Sequence, residues 1–502
     1  MSLKNNLLLI VSLFYLLLSS TFAQQQEYII VNGDSLSGRM VNGESIRDVY
    51  GHVVLTQGNV RITCDHAIQY ISQNNAELIG NVVATQDTLT ITTSHGFYYG
   101  NERKAQSNSG VTLNDKKVIL TADTGIYFFD QNRAEFNSNV KLVDTSSTLT
   151  SNLLIYYKDL GKAVAVGNVK IVESKNTIQA DSLVHFRDSR ITFAENHVKI
   201  TSTSNNSIIY GNHLEDYPQK FYTLVTREPL FLQIDSSFYK SRDSLSGTEK
   251  IDSIKIDTLI IKSQKMEAYR DTINIFKAED SVQIVRGEFA SKNDFTEYYR
   301  SLGKIVTKKI SENSNQPIIW YDNSQLTGDS VTIFLKENKI YLLDVDKNAF
   351  ILSQNQKFEK RYDQMSGSDI KIHFDDNGIR ETDVYGGIHS IYYLYEEKDP
   401  NGLTKSSSDS AKIIFADKKV NEVKLYGSPT SEYHPENKVE GNELAFTLPG
   451  FIVYKNRPKK EELLSQLNIL NSVLIPEKIS KKITPNDILP SGNKSSNNQK
   501  QK

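Results

Sequence analysis

The stretch that decides the fold is Gly51–Ile71, GHVVLTQGNVRITCDHAIQYI, because Gly80–Gly100, GNVVATQDTLTITTSHGFYYG, repeats its pattern 29 positions later. The same offset continues through the following units. It gives a valine column at Val53, Val82, Val111, Val140, Val169 and Val198. An aromatic column keeps the same spacing at Tyr70, Tyr99, Phe128, Tyr157 and Phe186. Such a repeat is typical of an array in which each unit covers the apolar edge of the previous one.

Within a unit, small or apolar residues occupy every second place and their neighbours are mostly polar, as in the segment VRITC at 60–64. This alternation, rich in Thr, Val, Ile and Tyr, is typical of half-buried β-strands. Each unit is therefore predicted to form two long strands. Gly80 and Gly167 in one strand, and Asp65 in the other, mark predicted bends. We expect an all-β fold, with stacked, bent antiparallel strands forming a β-taco or β-jellyroll solenoid on a 29-residue repeat.

Composition excludes several classes of protein. The 502 residues carry a net charge of −2 with both signs interspersed, so no basic surface for nucleic acid is expected. The single cysteine, Cys64, excludes an intramolecular disulfide framework and any multi-cysteine metal site. Lys4, the apolar run Leu7–Leu18 and the small Ala23 predict a secretory signal peptide, and hence export. The run is too short to span the roughly 30 Å core of a bilayer comfortably.

Shifts in pattern along the chain predict its organisation. We expect a signal peptide at 1–23 and a β-repeat domain at 24–235. A second β-repeat region with polar insertions follows at 236–320, and a third at 321–454. Residues 455–502 are predicted to form a short helix and a disordered tail.

Candidate catalytic and metal-binding residues have structural alternatives. The column Asp65, Asp123 and Asp181 changes to Ser and Asn in the intervening units, which favours a bend over paired catalytic carboxylates or a calcium site. His66 and His95 are in register, but a third ligand column for zinc is missing. No nucleophile elbow, zinc-protease or phosphate-loop motif occurs. We therefore expect no enzyme activity, no cofactor and no metal.

The apolar columns have two interpretations. They form either the packed core of a β-solenoid or the lining of a groove that holds a ligand, and periodicity does not distinguish the two. A structural or adhesive β-solenoid without a lipid ligand is therefore the alternative to a binding protein.

The pattern G-N-V-x-x-x-Q-x-x-x-x-I-x-x-[DS] resembles that of the organic-solvent-tolerance (OstA-like) family, the periplasmic lipopolysaccharide-transport bridge proteins. The resemblance extends from about residue 33 to 235 and recurs more weakly to about 454. It implies an apolar β-groove that holds the acyl chains of lipid A, and thus binding and transport of lipopolysaccharide in outer-membrane assembly. It also implies a periplasmic location, either free in the periplasm or associated with the outer membrane.

The resemblance implies partners as well. Strand addition would join the chain to an inner-membrane lipopolysaccharide exporter and an outer-membrane translocon, and copies of the chain to each other end to end. The apolar positions predicted to line the groove are Val53, Leu55, Ile62, Val82, Ile91, Phe97, Val111, Leu113, Leu120, Ile126, Val140, Leu142, Leu149, Ile155, Val169, Ile171, Ile178, Val184 and Val198.

Overall fold

The computed structural model describes residues 27–242, 249–337, 339–376, 378–397, 399–416 and 419–470. Antiparallel strands dominate these residues, which confirms the predicted all-β fold of stacked strands. The chain divides into two compact units, Met1–Val166 (unit 1) and Gly167–Lys502 (unit 2). The boundaries near 235 and 320 stay predictions, as does the 29-residue repeat. The predicted signal peptide and the tail after residue 470 lie outside the described residues.

Unit 1 is built from strands joined mainly by short turns, and its last strand, β13, contains the boundary with unit 2. The strands are β1 (Ile30–Asn32), β2 (Ser35–Val41), β3 (Glu44–Gln57), β4 (Val60–Tyr70), β5 (Asn75–Gln86), β6 (Leu89–Tyr99), β7 (Lys104–Ser107), β8 (Val111–Asn114), β9 (Ile119–Ala122), β10 (Thr124–Phe128), β11 (Arg133–Val143), β12 (Thr148–Tyr157) and β13 (Lys162–Val172).

Unit 2 continues with longer strands and ends in two helices. Its elements are β14 (Asn176–Phe186), β15 (Ile191–Ser202), β16 (Ser207–Tyr217), β17 (Tyr222–Thr226), β18 (Leu230–Arg242), β19 (Glu249–Lys262), β20 (Lys265–Tyr269), β21 (Ile275–Arg286), β22 (Phe289–Tyr299), β23 (Lys304–Lys308), β24 (Ile318–Tyr321), β25 (Ser324–Thr327), β26 (Ser330–Lys336), β27 (Lys339–Gln354), β28 (Tyr362–Asp375), β29 (Gly378–Glu396), β30 (Asp399–Ala416), β31 (Lys419–Tyr426), β32 (Thr430–His434), α1 (Glu436–Val439) and α2 (Lys460–Leu470).

The long strands bend in the middle, where two consecutive residues adopt left-handed backbone conformations. In β5 these are Gly80 and Asn81, and the pairing with β6 shifts at that point. A Cβ at position 80 would overlap the carboxylate of Asp65 on β4, so glycine suits this position for both its backbone angle and its lack of a side chain. The predicted bend at Gly80 and Asp65 is confirmed.

The aspartate column holds these bends together. Asn81 Nδ2 donates to Asp65 Oδ2 at 2.9 Å, and Asn139 Nδ2 donates to Asp123 Oδ2 at 2.7 Å. In unit 2, Asp181 Oδ2 lies 2.7 Å from Nδ1 of a histidine at the corresponding bend of β15. The carboxylates therefore act as bend residues, as the sequence predicts.

Each bend also changes the phase of the alternation. In β4, Ile62 and Cys64 are buried before the bend, but Ala67 is buried after it, and Tyr70 is not. An uninterrupted period of two would have buried Tyr70, so the aromatic column faces outward and its neighbours face inward. In unit 1 the residue before each later member of the aromatic column is a buried tyrosine: Tyr98, Tyr127 and Tyr156.

Helix α2 lies within the segment 455–502, whose organisation as a short helix and a tail stays a prediction. Among the residues that the structure describes, no helix has the length and apolar character needed to cross a membrane.

Candidate functional site: the apolar interior and its mouth

Most of the predicted groove residues lie on the buried face of their unit. In unit 1 these are Val53, Leu55, Ile62, Val82, Ile91, Val111, Leu113, Leu120, Val140, Leu142 and Leu149. In unit 2 they are Val169, Ile171, Ile178 and Val198. The valine column is thus buried at every level, and whether it binds lipid stays a prediction.

Four predicted groove residues, Phe97, Ile126, Ile155 and Val184, are less buried than the others. Each is half-buried and follows the bend of its strand, where the alternation has changed phase, so the neighbour on either side is buried instead. The ring of Phe97, for example, lies with those of its outward neighbours two positions away. Because Phe97 and Ile126 also line the small cavity inside unit 1, the assignment of these four residues to the groove stays a prediction.

The interior of unit 1 is filled by its own side chains. It leaves a cavity of about 30 Å³ lined by residues such as Ile62, Val82, Val111 and Phe136. This volume suffices for about one or two water molecules. In this state the interior of unit 1 is a packed core.

Because each long strand bends in its middle, the turns at its two ends lie in two rows that face each other across the interior. In unit 1 the rows meet through side chains. Gln57 Nε2 donates to the carbonyl of Gly100 at 3.0 Å, and Arg103 Nη2 donates to Asn59 Oδ1 at 2.8 Å. At the next pair of turns along these rows, Gln86 Nε2 donates to the carbonyl of Phe129 at 3.5 Å. We call this line of contact the mouth of unit 1.

Buried polar side chains line the inner side of the mouth. Tyr98 Oη donates to Gln57 Oε1 at 2.6 Å, and Tyr156 Oη donates to Asp115 Oδ2 at 2.8 Å. Burial raises the pKa of Tyr98 well above its ordinary value, so its hydroxyl stays a donor. The sequence analysis missed these residues, although Gln57, Gln86 and Asp115 follow the same 29-residue offset as the valine column.

Unit 2 differs because its strands bury apolar side chains on both faces. In β24, Ile319 packs into the interior core, whereas Ile318 and Trp320 pack on the opposite, outer face. We call this outer face the outer stripe. Its buried members are Tyr210, Leu230, Leu232, Ile260, Val285, Ala290, Ile318 and Trp320 in one cluster, and Phe350, Leu352, Ile391, Tyr393 and Leu403 in another.

The chain's own C-terminal segment covers the outer stripe. We call residues 436–465 the C-terminal strap. Val439 and Leu448 pack in the second cluster of the stripe and Leu463 packs in the first, and all three are buried. The sequence analysis missed the stripe. Consecutive apolar runs, LFL at 230–232 and IIW at 318–320, were its signal, because such runs are typical of strands buried on both faces.

Two glutamines of the sheet bind the backbone of the strap. Gln364 donates from Nε2 to the carbonyl of Phe446 at 3.2 Å and accepts the N–H of Leu448 at 2.9 Å. In the same way, Gln325 donates from Nε2 to the carbonyl of Ile452 at 2.8 Å and accepts the N–H of Tyr454 at 2.8 Å. A side-chain amide thus takes the place that a neighbouring strand would occupy, and fixes the strap in one register.

One cluster of potential metal ligands occurs in the described part of the chain, at His373, Glu381 and Asp383 in unit 2. The ammonium group of Lys412 lies 2.8 Å from Glu381 and 2.9 Å from Asp383. The positive charge next to these two carboxylates is therefore already supplied by the protein. His95 lies 2.9 Å from a neighbouring glutamate and has the contacts of an ordinary strand residue.

Stacked, bent antiparallel strands around an apolar interior define the class of this protein, a β-solenoid of the taco type. Residues 25–181 match the model of the OstA-like protein family. Among solved structures, LptH of Pseudomonas aeruginosa, described as the LptA-homologous periplasmic component of the lipopolysaccharide transport device, aligns at 15% identity. The alignment covers 34% of this chain and 85% of LptH, with a TM-score of 0.12. No curated protein gives a significant match.

Proposed function

We propose that this protein binds lipopolysaccharide through the acyl chains of lipid A and carries it across the periplasm during outer-membrane assembly. The observation that carries the proposal is the interior face of unit 1, where the valine column and its neighbours present apolar side chains at every level. The OstA-like match over residues 25–181 supports it. No catalytic step is part of this function.

Entry of a lipid requires the mouth to open. Each neutral hydrogen bond there contributes only about 0.5–1.5 kcal/mol. Burial of an acyl chain yields about 0.8 kcal/mol per CH₂ group, so burial of a whole acyl chain offsets the loss of several such bonds. Because successive levels of the interior are similar, a lipid could move between them without a deep energy minimum. Directed movement would come from an upstream exporter.

The ends of the array suit partner binding. Strand β2 pairs with β3 along one edge, and all its residues are exposed. No strand of the described residues pairs with its other edge, whose N–H and C=O groups can therefore bind an added strand. We propose that the inner-membrane exporter, the outer-membrane translocon or a second copy of the chain adds its strand at such an edge. A periplasmic location after removal of residues 1–23 belongs to the same proposal.

Native mass spectrometry with lipid extraction tests this function. The mature protein, purified from its own cell envelope, is expected to carry lipopolysaccharide or lipid A. A stable protein that comes without lipid and takes up no added lipid A would contradict the proposal.

The alternative is a structural β-solenoid without a lipid ligand. The small cavity of unit 1 favours it, because the interior is already packed. The two functions differ in what lipid does to stability. A ligand that binds only the folded state raises the melting temperature with its concentration, whereas a structural solenoid shows no such shift.

A further inference from the structure

Arg300 of unit 2 lies in an aromatic cage. It begins the 3₁₀ turn Arg300–Leu302 that follows β22. Its guanidinium Cζ lies 5.2 Å from the ring centroid of Phe231, 5.5 Å from that of Phe276 and 5.9 Å from that of Tyr298. All three rings are buried in the interior core of unit 2. The cation therefore sits against the apolar interior rather than in bulk water.

This guanidinium forms no ion pair with any carboxylate in the described residues. Its Nε is buried and has no hydrogen-bond partner. Burial lowers the pKa of Arg300 from its ordinary value, which reflects the cost of holding the charge there. Cation–π contacts offset part of that cost. An anion would offset more, because a desolvated charge is strongly stabilised by an opposite one.

The position of Arg300 corresponds to that of Phe129 in unit 1. Each residue begins a three-residue 3₁₀ turn that ends in a left-handed residue. Each also donates its backbone N–H to the carbonyl of the preceding turn, Phe129 to Arg103 at 3.0 Å and Arg300 to Asn274 at 3.1 Å. In unit 1 the Phe129 ring packs edge-on against Tyr98 and closes the mouth with apolar contacts. Unit 2 has a cation where unit 1 has a ring.

We propose that Arg300 binds a phosphate group at the edge of the unit 2 interior. A guanidinium presents paired N–H donors that match phosphate oxygens, and its planar group keeps its stacking on the rings while it does so. Arg300 as a whole residue is half-buried, although its Nε is enclosed. The phosphate belongs either to the head group of an acyl-chain lipid, a source that rests on the proposed function, or to a free ion.

Titration calorimetry with three probes tests this site. The probes are inorganic phosphate, dihexanoyl phosphatidic acid, and dihexanoylglycerol, which has the acyl chains without the phosphate. The wild-type protein is expected to bind the phosphatidic acid at least 10-fold more tightly than dihexanoylglycerol. Arg300→Phe should abolish that preference, and Arg300→Lys should keep part of it because the charge remains.

Two controls accompany these variants. Arg300→Phe places at this turn the side chain that unit 1 carries at Phe129, and its fold is checked by circular dichroism. Arg270→Lys alters an arginine of the preceding turn whose guanidinium already pairs with Asp216 at 2.9 Å, and it should leave phosphate binding unchanged.

The outcomes separate the site from the proposed function. Loss of phosphate binding in Arg300→Phe, with no acyl lipid bound by any form, would support the site and contradict lipid transport. Equal binding of both lipids by wild type and Arg300→Phe would overturn the phosphate site and leave lipid transport standing. Failure of the wild type to bind either phosphate probe would also overturn the site.

Discussion

The outer faces of the two units differ although both are built from bent antiparallel strands. In unit 1 threonines face each other across neighbouring strands, Thr85 with Thr90, and Thr92 with Thr112. Threonine suits a strand and tolerates water. In unit 2 the corresponding face carries the outer stripe, with Trp320 and other large apolar side chains. A sheet that is apolar on both faces needs a second covering layer, and the C-terminal strap provides it.

This difference shows how one strand architecture serves two kinds of stability. Unit 1 buries a single face, and side-chain hydrogen bonds at its mouth hold the two limbs together. Unit 2 depends on a segment distant in sequence that lies across successive strands. Removal of the strap should therefore destabilise unit 2, whereas unit 1 should be destabilised mainly by changes in its interior columns.

The largest effect is expected from removal of residues 436–502. Burial of Val439, Leu448 and Leu463 contributes about 2 kcal/mol each, and their loss would expose the outer stripe. Trp320, the only tryptophan of the chain and only 5% exposed, should then shift its fluorescence to longer wavelength, and the protein should associate. Truncation after residue 470 keeps the strap and serves as the control. An unchanged Trp320 spectrum without the strap would contradict its covering role.

A smaller loss is expected from a charge in the interior of unit 1. Val140 is 1% exposed, so Val140→Asp should lower the free energy of unfolding by roughly 5 kcal/mol. Ile155→Asp, on the half-buried outward face, should lower it by about 1 kcal/mol or less. Urea unfolding of both variants makes the measurement. Equal losses would mean that the phase change at the bend is placed wrongly.

The pH dependence of stability tests the burial of Asp363 in unit 2. Asp363 accepts the N–H of Tyr393 at 2.9 Å, and burial raises the pKa of its carboxyl to about 7. The folded state then holds a proton that the unfolded state releases near pH 4, so this carboxyl lowers stability as the pH rises from about 4 to 7. At about 1.4 kcal/mol per pKa unit, the change is at most about 4 kcal/mol. Asp363→Asn should remove it, as measured by urea unfolding at pH 5 and pH 8; an unchanged slope would contradict this assignment.

Removal of one glutamine clamp should have the smallest effect. Gln364→Ala leaves a carbonyl and an N–H of the strap without their partner and should cost about 1–3 kcal/mol. Gln356→Ala, at an exposed position of unit 2, is the matched control. Thermal unfolding followed by Trp320 fluorescence compares them, and equal melting temperatures would show that the clamp does not hold the strap.

The sequence predicts much of the fold because alternation, bend residues and the valine column are local signals repeated at fixed spacing. Asp65 and Gly80 identify the bend for that reason. Local patterns do not show how the bend changes the phase, so the partial exposure of Phe97 and Ile155 could not be predicted. The strap was missed because its contacts, such as Gln364 with Phe446, join residues far apart in sequence.

The most direct test of the central claim is photocrosslinking in the cell envelope with a diazirine-bearing amino acid at Leu142, a buried interior position of β11. The same group at the exposed neighbour Lys141, on the opposite face of that strand, is the control. The account predicts crosslinks to lipopolysaccharide from Leu142 and none above background from Lys141. Crosslinks from neither position, or equally from both, would contradict a lipid-binding interior.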